Sequence, residues 1–295
     1  MADVGSSSPT PSAPEAPSQW QNVLQNLGDW RGSFTTLSSQ GEIISDVPSR
    51  VVLEGLNENQ TIRQTIQYFS AQTGELDQER VLEYDTLSRS VLVFENGAFS
   101  QGSMQFGPFS EFGAELGLIW GDRRLRLVPL FNKDSQFDRL TLIREHRHST
   151  PPAPRPPLTV AHLLGLWRGE AVTLTPDWLP PTVLPTQLLV TQEGDRLTQR
   201  LTTPQFELTS SATIAGSRLL FDQSENPVQV LLLDDGASCN TPLSIPRQQP
   251  FFLEAGWLVE TDLRQRMIRR YDQTGRWASL TLVTERRIDP SVAEH

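Results

Sequence analysis

The sequence is short of the features on which several functional classes depend. A single cysteine, Cys239, among 295 residues leaves no intramolecular disulfide and is typical of a reducing compartment. There are 25 Lys and Arg residues against 35 Asp and Glu residues, whereas a dedicated nucleic-acid-binding protein needs a basic surface. No apolar run approaches the roughly 18 residues of a membrane-spanning helix. We therefore expect a cytoplasmic protein that neither binds nucleic acid nor spans a membrane.

Catalytic motifs are also missing. The sequence contains no Gly-x-Ser-x-Gly elbow, no phosphate-binding Walker A loop and no Gly-x-Gly-x-x-Gly after a strand. Cys239 has no adjacent basic residue that would activate it as a nucleophile. His146 and His148 share one strand, but no third metal ligand lies near them in sequence. We expect no enzymatic activity, no catalytic residues, no cofactor and no metal.

Proline marks the ends of the folded units. Residues 1–18 are rich in Ser, Pro and Ala and contain no Lys or Arg, which predicts a disordered tail, not a signal or transit peptide. A second proline cluster at 150–157 predicts a semi-rigid linker. We expect β domains at 19–149 and 158–287, each able to fold independently, and a C-terminal tail at 288–295.

The two halves of the chain are copies of each other. Residues 27–32 (LGDWRG) recur as 164–169 (LGLWRG), and 124–128 (RLRLV) recur as 264–268 (RQRMI). The matches are collinear, and their spacing changes by only a few residues along the chain. This pattern indicates a tandem duplication of a whole domain, since the repeated unit is too long for a solenoid.

Each copy consists mainly of strands. Period-two runs rich in Val, Ile, Leu, Thr and aromatic residues alternate with Gly, Asn and Asp turns. Asn96-Gly97 and Asp235-Gly236 are typical of hairpin turns. Only 19–27 and 159–164 have a helical pattern. Regularly spaced strands without intervening helices predict an all-β protein built from antiparallel barrels or sandwiches.

The start of each copy favours barrels. A short helix precedes Gly28 and Trp30 in the first copy, and Gly165 and Trp167 in the second. This pattern resembles the calycin superfamily of lipocalin-like barrels, and the resemblance implies two calycin-like antiparallel β-barrels in tandem. It also implies that each Trp closes one barrel end beneath a basic residue from the last strand. The candidates for that basic residue are Arg144, Arg286 and Arg287.

Longer phrases carry a closer resemblance. Residues 30–34 (WRGSF), 46–49 (DVPS), 123–128 (RRLRLV) and 264–272 (RQRMIRRYD) are similar to a cyanobacterial family of tandem calycin-like proteins of unknown function. That family resembles a plant chloroplast factor for biogenesis of the ATP synthase. The resemblance implies a non-enzymatic assembly factor whose partners are subunits of the ATP synthase catalytic head. The alternative is a carrier of a small hydrophobic or chromophore ligand, since such barrels commonly enclose one ligand.

Arginines are concentrated in the last two strands of both copies. Arg124 and Arg126 point to one face of their strand, and Arg264 and Arg266 do the same in the second copy. On an inner face each pair could bind a ligand carboxylate or phosphate. On an outer face it could dock on an acidic partner or form a cross-strand salt-bridge ladder. The sequence leaves these three interpretations open.

Two further sets complete the candidate residues. Glu115 and Glu254 occupy the same position in the two copies, and we expect each to pair with an arginine on the neighbouring strand. Trp178 lies in a proline-rich loop, a setting that suits an anchor for a partner. The binding candidates are Arg124, Arg126, Arg264, Arg266, Arg269, Arg270 and Trp178, and the residues with an expected structural role are Gly28, Trp30, Gly165 and Trp167.

Overall fold

A computed structural model describes residues 18–147, 152–223 and 225–288. The predicted N-terminal tail, apart from Ser18, and the C-terminal tail beyond Ile288 lie outside these residues. Within the described part of the chain, no helix has the length and apolar character needed to cross a membrane.

Short helices precede each copy, and strands make up most of the remainder. The helices are α1 (Gln19–Val23) and α2 (Val160–Leu163), with 3₁₀ turns at Leu24–Asn26 and Asp234–Gly236. The strands of the first copy are β1 (Gly28–Ser38), β2 (Ile43–Leu56), β3 (Thr61–Phe69), β4 (Leu76–Tyr84), β5 (Val91–Val93), β6 (Phe99–Gly102), β7 (Phe112–Trp120), β8 (Arg123–Phe131) and β9 (Phe137–His146). Those of the second copy are β10 (Gly165–Leu174), β11 (Thr182–Glu193), β12 (Arg196–Thr202), β13 (Glu207–Ala215), β14 (Arg218–Phe221), β15 (Val228–Leu232), β16 (Ala237–Pro242), β17 (Phe251–Leu258), β18 (Leu263–Tyr271) and β19 (Trp277–Ile288).

The pairing of these strands confirms the predicted all-β tandem fold. The second domain is a closed antiparallel barrel that runs in order from β10 to β19. The first domain is a nine-stranded sheet in the order β4-β3-β2-β1-β9-β8-β7-β6-β5. Its barrel stays open between β4 and β5, because the chain passes between them through 85–90 without a strand corresponding to β14.

Apolar residues form three clusters, and the largest joins the two domains. One small cluster fills the first sheet around Trp30, and another fills the second barrel around Trp167. The largest includes Leu116 and Leu127 from β7 and β8 together with Met267 from β18. Neighbouring residues in a strand point to opposite sides, so these side chains lie on the outer faces of their sheets. The two domains therefore pack outer face to outer face.

Aromatic rings and main-chain hydrogen bonds fix this interface. The ring of Phe112 lies 5.6 Å from that of Phe251 and 5.1 Å from that of Tyr271, measured between centroids. The amide of Phe106 donates to the carbonyl of Gly275 at 2.7 Å. Such an interface resembles the interior of one domain more than a contact between two mobile ones. Each half alone would expose this interface to solvent, and the independent folding expected of each complete repeat stays a prediction.

The linker also packs against the second domain. The amide of Gly236 donates to the carbonyl of Pro156 at 3.0 Å, and the amide of Leu158 donates to the carbonyl of Leu233 at 2.8 Å. The guanidinium of Arg155 lies 4.7 Å from the ring centroid of Trp257. The described part of the linker is therefore held against the second domain.

The shared core predicts that the two domains unfold together. Phe112→Ala should lower the free energy of unfolding by about 3–5 kcal/mol, the usual cost of truncating a buried aromatic residue. Hydrogen exchange should then show reduced protection in both domains, since each contributes a face to the same cluster. Phe109→Ala is the control, because that ring is 75% exposed. Loss of protection confined to β1–β9 would contradict the shared core.

Candidate functional site

A buried carboxylate between two arginines lies inside the first domain. Arg124 donates from Nε to Oε2 of Glu145 at 2.7 Å and from Nη2 to Oε1 at 3.1 Å. Arg126 donates from Nε to Oε2 at 3.0 Å and from Nη2 to Oε1 at 2.8 Å. Only 3% of Arg124 and 4% of Glu145 are exposed. Both carboxylate oxygens of Glu145 are therefore occupied by arginines of the chain itself.

The repeat-matched glutamate completes the group. Nη1 of Arg126, on β8, donates to Oε1 of Glu115, on β7, at 2.8 Å. Nη1 of Arg266, on β18, donates to Oε1 of Glu254, on β17, at 3.3 Å. These contacts confirm that each glutamate pairs with an arginine on the neighbouring strand.

The second domain repeats the central carboxylate. The Nε atoms of Arg264 and Arg266 donate to Oε1 of Glu285 at 2.7 and 2.9 Å. Glu285 is 1% exposed, and Arg264 is 5% exposed. We call each set, one carboxylate with its two arginines and the second glutamate, the charge cluster of its domain.

Each charge cluster lies against the tryptophan at the start of its copy. The guanidiniums of Arg124 and Arg147 lie 4.4 and 4.5 Å from the Trp30 ring centroid. Those of Arg264 and Arg287 lie 4.6 and 4.8 Å from the centroid of Trp167. Trp30 and Trp167 are each 0% exposed, so both rings are fully buried, whereas their closure of a barrel end stays a prediction.

Of the three candidates for the basic residue over the tryptophan, Arg287 is the one that the structure places there. Arg287 covers Trp167, but its counterpart over Trp30 is Arg147, immediately after β9, and not Arg144. Arg144 lies on the opposite face of β9, where its Nη2 donates to the hydroxyl of Thr35 at 2.9 Å. The repeat itself contains the missed signal, because Arg147 and Arg287 each lie two residues after the central glutamate of their cluster.

Glycine leaves room for the charge cluster. Gly32 pairs with Glu145, and Gly169 pairs with Glu285 in the equivalent ladder. A Cβ atom at Gly32 would lie 1.7 Å from the carbonyl oxygen of Arg144, and one at Gly169 would lie 2.1 Å from that of Thr284. No side chain fits at such distances. The Trp-Arg-Gly motif therefore places an aromatic ring beside the charge cluster and a residue without a side chain opposite its central glutamate.

Electrostatics keep the central glutamates ionised. Burial by itself would raise the pKa of Glu145, but the charges and hydrogen bonds of Arg124 and Arg126 lower it to about 2. The pKa of Glu285 is lowered for the same reason, against the effect of burial. A carboxyl group that ionises so readily is a poor proton donor or acceptor near neutral pH. The arginines therefore hold each central carboxylate in its ionised form.

The clusters correct the expectation for four of the candidate arginines. Arg124, Arg126 and Arg264 are buried, and the side chain of Arg266 is only 13% exposed. They face the interior and bind glutamates of their own domain, so they do not form a docking surface for an acidic partner. Of the three interpretations, cross-strand pairing is the one observed, although it occurs on the inner face of the sheet and not on the outer face.

The other candidates lie apart from the clusters. Arg269 is 0% exposed at the domain interface, where its Nε donates to the hydroxyl of Tyr271 at 2.7 Å and its Nη1 donates to that of Ser100 at 3.0 Å. A partner cannot reach it. Arg270 and Trp178 are exposed, as a binding role requires.

Cys239 is buried, and burial raises the pKa of its thiol, which disfavours the thiolate. In the described ranges, no group of three His, Cys, Asp or Glu residues could hold a metal ion.

Three cavities lie where the two domains meet. The first, of about 420 Å³, is lined by Arg123, Arg144 and the linker residue Arg155. The second, of about 760 Å³, lies near the loop that contains Arg247. The third, also of about 760 Å³, is lined by the start of α1, the segment around β5 and the loop of Trp178. We call this third cavity the Trp178 groove.

Comparison with known families divides the chain into two matches. Residues 16–150 match the N-terminal domain of DUF3598, a domain of unknown function. Residues 154–288 match the C-terminal domain of a protein described as biogenesis factor required for ATP synthase 1. No protein with a curated description matches the sequence.

Solved structures include one highly similar protein. A DUF3598-family protein of unknown function from Nostoc punctiforme has 50% sequence identity and a TM-score of 0.86, with 92% of this chain and 100% of that chain covered. An S-type phycobiliprotein lyase from Guillardia theta has 14% identity and a TM-score of 0.33, with 44% of this chain and 90% of that one covered. The second likeness is too weak to carry any argument about function.

The charge cluster predicts a specific loss of stability on the acid side. Glu145→Gln should lower the free energy of unfolding by about 3–5 kcal/mol, because it leaves the buried Arg124 without an anion and Arg126 with Glu115 alone. The folded-state pKa of Glu145 lies below its usual value of 4.5, so its contribution is complete above that pH and is lost as the pH falls towards 2. In urea unfolding between pH 2 and 7, the free energy of unfolding should fall less steeply towards low pH for the variant than for the wild type. Glu111→Gln, at an exposed position, is the control, and equal stability of both variants at pH 7 would contradict the role of the cluster.

Proposed function

The chain belongs to the DUF3598 family, and because its second half matches the C-terminal domain of an ATP synthase biogenesis factor, we propose that it is a non-enzymatic assembly factor that binds subunits of the ATP synthase catalytic head. The match over residues 154–288 is the observation that carries the proposal. The proposal includes a cytoplasmic location, which a single cysteine favours.

The geometry of the charged residues supports a binding protein over an enzyme. The carboxylates that strand pairing brings together are held by arginines, and the pKa of Glu145 is about 2. A general acid or base needs a pKa near the working pH. The buried thiol of Cys239 has a raised pKa, which disfavours nucleophilic attack.

The joint between the domains supports a rigid binding platform. The shared apolar cluster holds the two β domains together, so a partner that contacts both would not have to order them first. Preorganisation of this kind increases affinity because less conformational entropy is lost on binding. Trp178 and Leu179 are 51% and 59% exposed at the edge of this joint, and exposed aromatic residues commonly anchor protein interfaces.

The rival function is transport of a small hydrophobic or chromophore ligand. Its support is the barrel fold, which by itself does not determine function. The three cavities described above lie between the domains, and Trp30 and Trp167 are fully buried.

The proposal predicts capture of ATP synthase subunits from the source cell. The tagged full-length chain should enrich head subunits at least tenfold over an unrelated tagged β-barrel, measured by quantitative mass spectrometry. A strain without the gene should contain less assembled enzyme at unchanged subunit mRNA levels, because an assembly factor acts after synthesis. Absence of head subunits from the captured proteins would contradict the proposal. A small molecule that copurifies stoichiometrically, detected by native mass spectrometry, would favour the carrier instead.

A further inference from the structure

The Trp178 groove leaves an apolar surface uncovered. Trp178 and Leu179 are 51% and 59% exposed, and Pro180 and Pro181 continue the same wall of the groove. Trp20 of α1 also lines the groove, so two tryptophan rings and two prolines face one cavity. Contiguous exposed apolar residues of this kind mark interaction sites on soluble proteins.

The loop holds Trp178 in an unusual conformation. Its φ angle is +60°, a left-handed value that is rare for a bulky residue. Its amide donates to the carbonyl of Thr175 at 3.0 Å, so a turn fixes the backbone while the ring stays half exposed. Strained residues of this kind cluster at binding sites. The backbone therefore positions the ring at the groove before any occupant binds.

The described chain begins at this groove. Ser18 and Gln19, the first two described residues, both line it. The backbone of Ser18, with φ −67° and ψ 159°, has dihedral angles close to those of a polyproline II helix. Residues 1–17 therefore join the chain at the wall of the groove, without an intervening linker. A segment tethered so closely has an effective concentration on the order of millimolar, so that even a weak affinity keeps it bound.

The sequence that precedes Ser18 favours the same conformation. Residues 9–17 (PTPSAPEAP) contain four prolines, and each proline fixes its own φ angle at about −65°. The residue before each proline is also biased towards extended or polyproline II geometry. Pro11, Pro14 and Pro17 are each three residues apart. Because a polyproline II helix has three residues per turn, these three rings would lie on one face of it.

The chemistry of the groove fits such a segment. Polyproline II segments bind grooves lined by aromatic side chains, because the preformed helix loses little conformational entropy on binding. Among the described residues that line the groove, only Asp85 and Glu95 are charged. Residues 4–14 contain no charged residue, and Glu15 would lie on a different face of the helix from the prolines. The proline face therefore brings no charge that has to be buried in the groove.

We propose that residues 9–17 bind in the Trp178 groove of their own chain as a polyproline II segment. The prolines at every third position pack against the rings of Trp20 and Trp178. The bound segment covers the exposed ring, so a partner that contacts Trp178 has to displace it first. This effect on partner binding rests on the proposed function, whereas the binding of the segment does not.

A fluorophore on the segment tests this contact in the full-length chain. Ala13→Cys provides a labelling site for bimane, since Cys239 is buried and the pKa of its thiol is raised. Tryptophan quenches bimane only at contact distance. The further change Trp178→Phe removes the quencher and keeps an apolar ring, so the bimane fluorescence should rise at least twofold at an unchanged melting temperature. Trp120→Phe, outside the groove, should leave the fluorescence unchanged.

A second variant changes the segment and leaves the groove intact. Pro11→Ser, Pro14→Ser and Pro17→Ser together remove the proline face, so the fluorescence of the labelled chain should rise as it does with Trp178→Phe. Equal fluorescence with and without Trp178→Phe would overturn the proposal, as would quenching that persists in the proline variant. Quenching that disappears on dilution would assign the groove to the segment of a second copy and would also overturn binding within one chain.

Discussion

The structure depends on the neutralisation of a buried carboxylate in each domain. An unpaired charge in the interior of a protein costs several kcal/mol. Glu145 and Glu285 are therefore compatible with folding only where each is contacted by its own pair of arginines. This requirement fixes the register of four strands at once, because the central glutamate, its arginines and the second glutamate come from three strands, and the fourth must provide a glycine. The tryptophan then covers the cluster and excludes water from it. The Trp-Arg-Gly motif, the arginine pairs and the matched glutamates of both copies therefore all serve the neutralisation of this buried carboxylate.

The clusters also explain why apolar residues lie on the outer faces. Charged residues occupy inner positions of β7, β8, β17 and β18, so the alternate positions, which are mostly apolar apart from Gln265 and Arg269 of β18, face outward. An apolar outer face is stable only when it is covered. Each domain covers the other, and the largest apolar cluster of the molecule lies between the two domains. The interior chemistry of each domain and the association of the domains are thus linked through strand alternation.

Sequence reasoning predicts the elements that depend on local pattern and on the repeat. Strand content, the duplication and the pairing of Glu115 and Glu254 with neighbouring arginines all follow from residue type and spacing. The side of the sheet on which Arg124 and Arg264 lie does not follow, since alternation defines two faces without saying which is inside. The lack of a counterpart of β14 among the described residues of the first domain is also invisible, because the alternating pattern of one copy does not reveal a strand that the other copy adds. Arg147 lies one residue beyond the last strand of its copy, where the alternating pattern ends, so that pattern does not reveal it.

The joint between the domains has a consequence for synthesis of the chain. Phe112 and Phe251 meet in the same cluster but lie far apart in sequence. Ribosomes add about 5–20 residues per second. On the order of ten seconds therefore pass between synthesis of the outer face of the first sheet and synthesis of the residues that cover it. During that interval the nascent chain exposes an apolar sheet face of the kind that aggregates or recruits chaperones. Contacts of such long sequence separation also slow the final docking step.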